Sequence, residues 1–179
     1  MDVQLETFGG SRAEDIRETL ADLYEAAYAD RLDDRFRNRI GFLSRLDGHL
    51  TRPVTFVSAK AEGKLIGFGY GFPLPPGSPW WRSFQPVPGT AFDPTDREFF
   101  AIAELMVKPE RRRQGIARQL HNRLLAQTDL PCATMLVDPA NTPARSAYIA
   151  WGWQLVGHMQ PFPESPRFES RVRDLASLD

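Results

Sequence analysis

Between Val107 and Ile116 the chain places Arg111, Arg112, Arg113, Gln114 and Gly115 after an apolar run and before an amphipathic one. These residue types point to anion chemistry. Guanidinium groups match phosphate in charge and in fork geometry. A position without a side chain at a helix start lets a ligand approach the backbone, where unpaired N–H groups and the positive dipole end attract anions. A second chemical residue lies just upstream. Strand alternation puts Glu104 on one face with Phe100, Ile102 and Met106, where a lone carboxylate is costly without a role or a partner. The plainer alternatives are a solvated basic turn and a glutamate paired with an arginine for structural reasons.

The elements that position these groups are legible. Phe99–Val107 is almost wholly apolar, as expected of a strand covered on both faces, and Pro109 ends it. From Ile116 the period changes, and Ile116, Leu120 and Leu124 fall on one helical stripe. A strand, a basic glycine turn and a helix make a pyrophosphate cradle. Neither G-x-x-x-x-G-K-[ST] nor G-x-G-x-x-G occurs in the chain, so it is not one of the commoner phosphate loops.

Arg112-Arg113-Gln114-Gly115-Ile116-Ala117 resembles the R/Q-x-x-G-x-G/A signature of the GNAT superfamily of N-acetyltransferases, which bind acetyl-coenzyme A. Downstream, Asn141, Ala144, Tyr148, Gly152 and Trp153 stand in register with the N-x-x-A-x-x-x-Y-x-x-x-G-[FW] pattern of the same enzymes. Singly, Asn141 also reads as a turn residue and Tyr148 as a core aromatic; the joint spacing favours the functional reading. The resemblance implies that Arg112, Arg113, Gln114, Gly115, Ile116, Ala117 and Arg118 hold the cofactor phosphates. It implies that backbone groups of Leu105, Met106 and Val107 hold the acyl oxygen and pantetheine, on a strand that splays from its neighbour. Asn141 would hydrogen-bond the cofactor arm, and Tyr148 would act as general acid beside the thioester sulfur.

The implied chemistry asks for such groups. An amine attacks the thioester carbonyl, backbone N–H groups stabilise the oxyanion, and a donor protonates a thiolate of pKa near ~8.5. The attacking amine, of pKa around 10, must first lose a proton, and Glu104 is the candidate base. Some family members carry a glutamate where this chain has Leu136; Asp138 and Glu98 are weaker alternatives. Cys132 needs no role as nucleophile. His49, His121 and His158 share no motif.

Composition narrows the classes. A length of 179 residues suits one domain, 1–179, burying roughly 70% of its unfolded surface. A net charge of −1 argues against a general nucleic-acid or membrane binder. Cys132 is the sole cysteine, which excludes an internal disulfide and suits a reducing compartment. With no signal-like N-terminus and no spanning stretch, a cytoplasmic protein is expected, and no motif suggests a metal.

Along the chain, Val3–Phe8 reads as a strand, and Ser11 with Glu14 as a capping box opening a helix striped by Ile16, Leu20, Leu23 and Ala27. A second helix is striped by Phe36, Ile40, Leu43, Leu46 and Leu50. Its Arg31, Arg35, Arg37, Arg39 and Arg45, interleaved with Asp30, Asp33, Asp34 and Asp47, read as a solvated face. Val54–Lys60 and Lys64–Phe72 form a hairpin turning at Glu62-Gly63. Gly67, Gly69 and Gly71 face something close, either a helix or a ligand. Pro73–Arg97 has too many prolines for regular structure. It is a lid or acceptor loop with Trp80, Trp81 and Phe84 as candidate substrate contacts, unless the tryptophans merely pin it to the core. Cys132–Val137 is a strand, Thr142 and Pro143 look like N-cap and N1 of a helix ended by Gly152, and Trp153–Met159 and Phe168–Leu175 are final strands.

The expected fold is α/β, the GNAT acyltransferase fold, with a mixed, mostly antiparallel sheet of about six to seven strands flanked by about four helices. The expected function is acetyl transfer from acetyl-CoA to an amine of a small molecule or a peptide, the protein acting alone or as a homodimer. An acyl-CoA-binding sensor of the same fold, without catalysis, is the alternative. The acceptor is not legible, because family members share the cofactor site and differ in the acceptor site.

Overall fold

In the computed structural model, which describes residues 2–29 and 37–176, helices and strands form a mixed α/β fold. The described residues make eight strands and five α-helices, one strand and one helix more than the highest expectation. They pack as two compact units, Met1–Phe72 with Ala103–Thr128 and Pro73–Ile102 with Asp129–Asp179.

The first unit contains β1 (Gln4–Phe8), α1 (Gly10–Asp15), α2 (Arg17–Ala27), α3 (Arg39–Leu50), β2 (Thr55–Ala61) and most of β3 (Lys64–Leu74). Strand β1 pairs antiparallel with β2, and β2 with β3 across a turn in which Glu62 and Gly63 take φ of 52° and 73°. Beside β3 lies β5 (Phe99–Val107), whose residues from Ala103 onward belong to this unit. Ile66, Phe68, Tyr70 and Phe72 are buried on one face of β3. The opposite face needs glycine. A Cβ on Gly67 would lie 2.9 Å from the Met106 carbonyl oxygen, and one on Gly69 2.8 Å from Leu105 Cδ1. The glycine face therefore lies against protein.

Two helices differ from expectation. Ser11 and Glu14 form no capping box: α1 starts at Gly10 with Gly9 as an uncapped N-cap, and Ile16 (φ −109°, ψ 17°) separates α1 from α2. On α3 the buried positions are Phe42 and Leu46, while Ile40 is 81% exposed. Phe36, Arg31, Arg35, Asp30, Asp33 and Asp34 lie outside the described residues. The arginines that follow are not a uniform solvated face. Arg37 is buried, Arg45 is mostly buried, and Arg39 ties α3 to Glu18, Asp22 and Glu25 of α2.

The second unit contains β4 (Gln85–Pro86), the start of β5 (Phe99–Val107), β6 (Cys132–Val137), α5 (Thr142–Ala150), β7 (Gln154–Met159) and β8 (Phe168–Asp174). Its strand order is β5-β6-β8-β7-β4, parallel between β5 and β6 and antiparallel elsewhere. The proline-rich segment is more regular than its composition suggested. It holds a 3-10 turn at Pro79–Trp81 and, at the sheet edge where proline is tolerated, strand β4. Gly157 of β7 admits this strand, since a Cβ there would collide with the Phe84 ring and the Gln85 carbonyl. No helix among the described residues is long and apolar enough to cross a membrane.

Candidate functional site

In the first unit β5 leads into the basic turn. Lys108 N–H donates to the Ile66 carbonyl at 2.9 Å, and Pro109–Arg111 form a 3-10 turn. Arg113 (φ 61°) and Gly115 (φ 76°) are both left-handed. Positive φ is uncommon outside glycine, and such positions gather at ligand clamps. Gly115 is the N-cap of α4 (Ile116–Leu125), with no side-chain cap and no acidic residue in the first turn. The N–H groups of Ile116, Ala117 and Arg118 therefore have no intrahelical acceptor. A Cβ on Gly115 would meet nothing within 4 Å, so the backbone is open to approach. Ile116 is buried with Leu120 and Leu124, which fixes the helix; Arg113, Gln114 and Arg118 are exposed.

Arg112 serves differently from its neighbours. Its Nη2 donates to the Ala27 carbonyl at 2.7 Å and its Nε to the Val107 carbonyl at 3.4 Å, linking the last turn of α2 to the end of β5. Arg112, Arg113 and Arg118 are all exposed, but only Arg112 has its guanidinium engaged by these two carbonyls.

Glu104, mostly buried on β5, has a partner that the sequence left unnamed. Arg45 Nη2 donates to Glu104 Oε1 at 3.3 Å and to the Tyr24 hydroxyl oxygen at 3.0 Å. Burial pushes the Glu104 carboxyl above its ordinary range, and Arg45 pulls part of the way back. Tyr24 and Tyr70 are both raised, first by burial and then by the Glu104 charge, so both stay protonated. His49 Nδ1 lies 3.0 Å from the Tyr70 hydroxyl. Burial, then Arg52 and Arg45, pushes His49 down to about 4. Arg45, His49, Tyr24 and Tyr70 were missed. The available signal was the spacing of Arg45 and His49, which share the inward face of α3 with Phe42 and Leu46.

In the second unit Asn141, not Thr142, is the N-cap of α5: its Oδ1 accepts from Ala144 N–H at 3.4 Å, moving Thr142 and Pro143 to the first helical positions. Tyr148 lies two turns further, on the same face as Asn141. Its ring is half-buried, edge-on to Trp151 at 5.6 Å and Trp153 at 6.5 Å. Helix α5 is tied to β8 through Arg145, which donates to Glu169 at 2.8 Å; Glu169 in turn accepts from the buried Arg171 at 2.7 Å. Trp81 is buried against Phe99 at 5.1 Å and Phe84 at 5.5 Å, whereas Trp80 and Phe84 are half-buried. Thus Glu104–Val107 and Arg112–Arg118 belong to the first unit, and Asn141, Tyr148, Trp80, Trp81 and Phe84 to the second.

The parallel register of β5 with β6 runs from Phe100–Ala133 to Ile102–Met135 and stops, with Leu105, Met106 and Val107 beyond it. Among the described residues no cluster of three or more His, Cys, Asp or Glu side chains is arranged to hold a metal ion. The sequence pattern of the acetyltransferase (GNAT) family matches residues 13–153, most of the chain. The chain belongs to the GNAT acetyltransferase family. The GNAT match takes in both the Arg112–Ala117 turn and the Asn141–Tyr148 helix. No curated protein matches the chain in sequence.

Solved structures share the GNAT fold at low identity. PH1933 from Pyrococcus horikoshii OT3 matches with a TM-score of 0.65 and 18% identity, over 97% of this chain and 98% of that one. Arabidopsis thaliana NAA60 in complex with acetyl-CoA matches with 0.65 and 14%, over 98% and 100%. The PaiA N-acetyltransferase from Thermoplasma acidophilum in complex with coenzyme A matches with 0.55 and 13%, over 97% and 99%.

Proposed function

We propose that this GNAT protein transfers an acetyl group from acetyl-CoA directly to an amine, of a small molecule or a peptide. The observation that carries the reading is the left-handed, uncapped, acid-free turn at Arg113–Gly115, opening α4 directly after β5. It fits a pyrophosphate. The N–H groups of Ile116, Ala117 and Arg118 donate to phosphate oxygens, the Arg113 and Arg118 guanidinium groups add charge, and the Gln114 amide lies beside them. Two neighbours of the same fold were solved with acetyl-CoA or coenzyme A, which agrees with this choice of donor.

When bound, acetyl-CoA supplies the acetyl group as a thioester. The chain's own groups do the rest. Backbone groups of Leu105, Met106 and Val107, past the end of the β5–β6 register, orient the acyl arm, with the Asn141 side-chain N–H₂ as a further donor. Glu104, with its raised proton affinity, takes the proton that the acceptor ammonium must lose. Tyr148 holds a proton at Oη for the departing side of the reaction. Of the proline-rich segment, Trp80 and Phe84 are left to meet the acceptor, since Trp81 is buried.

Calorimetric titration with acetyl-CoA tests the reading, beside a variant carrying Arg113→Glu and Gly115→Asp, which puts negative charge where phosphate should sit. Micromolar binding lost in that variant is expected, and a folded wild type that binds nothing would sink the reading. A screen of amines by thiol release should then find turnover that Tyr148→Phe slows roughly 100-fold, with little change in affinity. Binding without turnover on any amine would favour the sensor instead.

A further inference from the structure

Arg45 enters the first unit from α3, between the buried Phe42 and Leu46. One of its nitrogens, Nη2, is shared between the Tyr24 hydroxyl oxygen at 3.0 Å and Glu104 Oε1 at 3.3 Å. The side chains of Arg45 and Glu104 are 18% and 15% exposed, so the pair is screened by little water. In such a place burial alone favours the protonated carboxyl, and a carboxylate stripped of its cation is left uncompensated.

The other groups coupled to Glu104 or to Arg45 come from α2, β3 and α3 with the residue ahead of it, and none substitutes for Arg45. Tyr24 of α2 and Tyr70 of β3 are neutral hydroxyls. His49, two turns nearer the α3 C-terminus than Phe42, is neutral above about 4 and engaged with Tyr70. Arg37, just ahead of α3, attracts Glu104 more weakly than Arg45 does.

We propose that Arg45 is a positioning residue for Glu104, keeping this carboxylate ionised and in one orientation, so that the pH at which Glu104 accepts a proton is set from helix α3. The consequence for turnover rests on the assignment of Glu104 as base under the proposed function; the electrostatic coupling does not. A planar guanidinium suits the task because its donors lie in a fixed fork, so holding Tyr24 and Glu104 together costs little side-chain freedom.

The test is a carbon-13 NMR titration of glutamate side-chain carboxyls, with the Glu104 signal identified by its absence in Glu104→Gln. Arg45→Met is expected to move the Glu104 midpoint upward by about 1–3 pH units, while Arg45→Lys moves it less. An unchanged midpoint in folded Arg45→Met overturns the inference. If Arg45→Met does not fold, the pair Arg45→Met with Glu104→Gln should, because no buried charge is then unpaired. Failure of the pair to fold would assign Arg45 to packing and overturn the inference too. With an amine found by thiol release, the acid limb of kcat/KM should shift in Arg45→Met as the NMR midpoint does. Full turnover in Glu104→Gln would remove Glu104 as base and leave the NMR result standing.

Discussion

His49 is kept neutral by the fold. Its ring lies 4.6 Å from that of Phe72, centroid to centroid, and its Nδ1 meets the Tyr70 hydroxyl. Its pKa is pushed down to about 4, against about 6.5 in an unfolded chain. A group depressed in this way contributes stability that is fully present above about 6.5 and is lost as pH falls through about 4, because the unfolded chain takes the proton first. Glu104, raised above its ordinary value, works in the opposite sense: its contribution is present at low pH and is lost as pH rises through its folded value. The two must therefore be separated by substitution. His49→Gln retains an acceptor for Tyr70 and removes the titration. Its melting temperature should fall less between about pH 6.5 and 4 than that of the wild type, by scanning calorimetry across that window. Identical slopes would mean that His49 is as readily protonated folded as unfolded.

Arg112 makes its prediction at the level of elements. Its charged hydrogen bond to Ala27 closes the end of α2 onto β5, so Arg112→Ala should cost about 1–2 kcal/mol in urea unfolding, while acetyl-CoA affinity changes little. Unchanged stability with tenfold weaker affinity would turn that guanidinium toward the ligand instead. The partner of the Arg112 guanidinium, a carbonyl 85 positions away, leaves no local trace in the sequence. The same reason hid the environment of Glu104. The carboxylate was legible as a polar residue in an apolar strand, and an arginine partner was one of its two readings. Which arginine was not, since Arg45 lies 59 positions earlier on another element. Strands β5 and β6 were legible to their ends because burial leaves few residue types that fit. Helix α3 was misjudged for a physical reason. Periodicity assumes that polar residues face out, yet Arg45 and His49 turn inward onto Glu104, Tyr24 and Tyr70, and Ile40 turns out. Strand β4 escaped because Pro86 reads as a breaker, though an edge strand has no ladder bond to lose there.

At the scale of the molecule, β5 decides how the protein should unfold. Residues Phe99–Ile102 belong to one compact unit and Ala103–Val107 to the other, so one continuous strand runs through both. A single cooperative transition is expected, as for one domain. The placement of the reporters makes this measurable. All four tryptophans, Trp80, Trp81, Trp151 and Trp153, lie in the second unit, so their fluorescence reports that unit alone. Helices α1, α2, α3 and α4 lie in the first, so far-UV circular dichroism at the helical minimum is weighted toward it. In urea the two signals should give one midpoint and one slope. Acetyl-CoA at saturating concentration should then raise both midpoints together, because ligand linkage acts on the whole cooperative unit. Separated midpoints, or a ligand shift confined to the circular dichroism, would mean that the units unfold independently and that β5 breaks between Ile102 and Ala103.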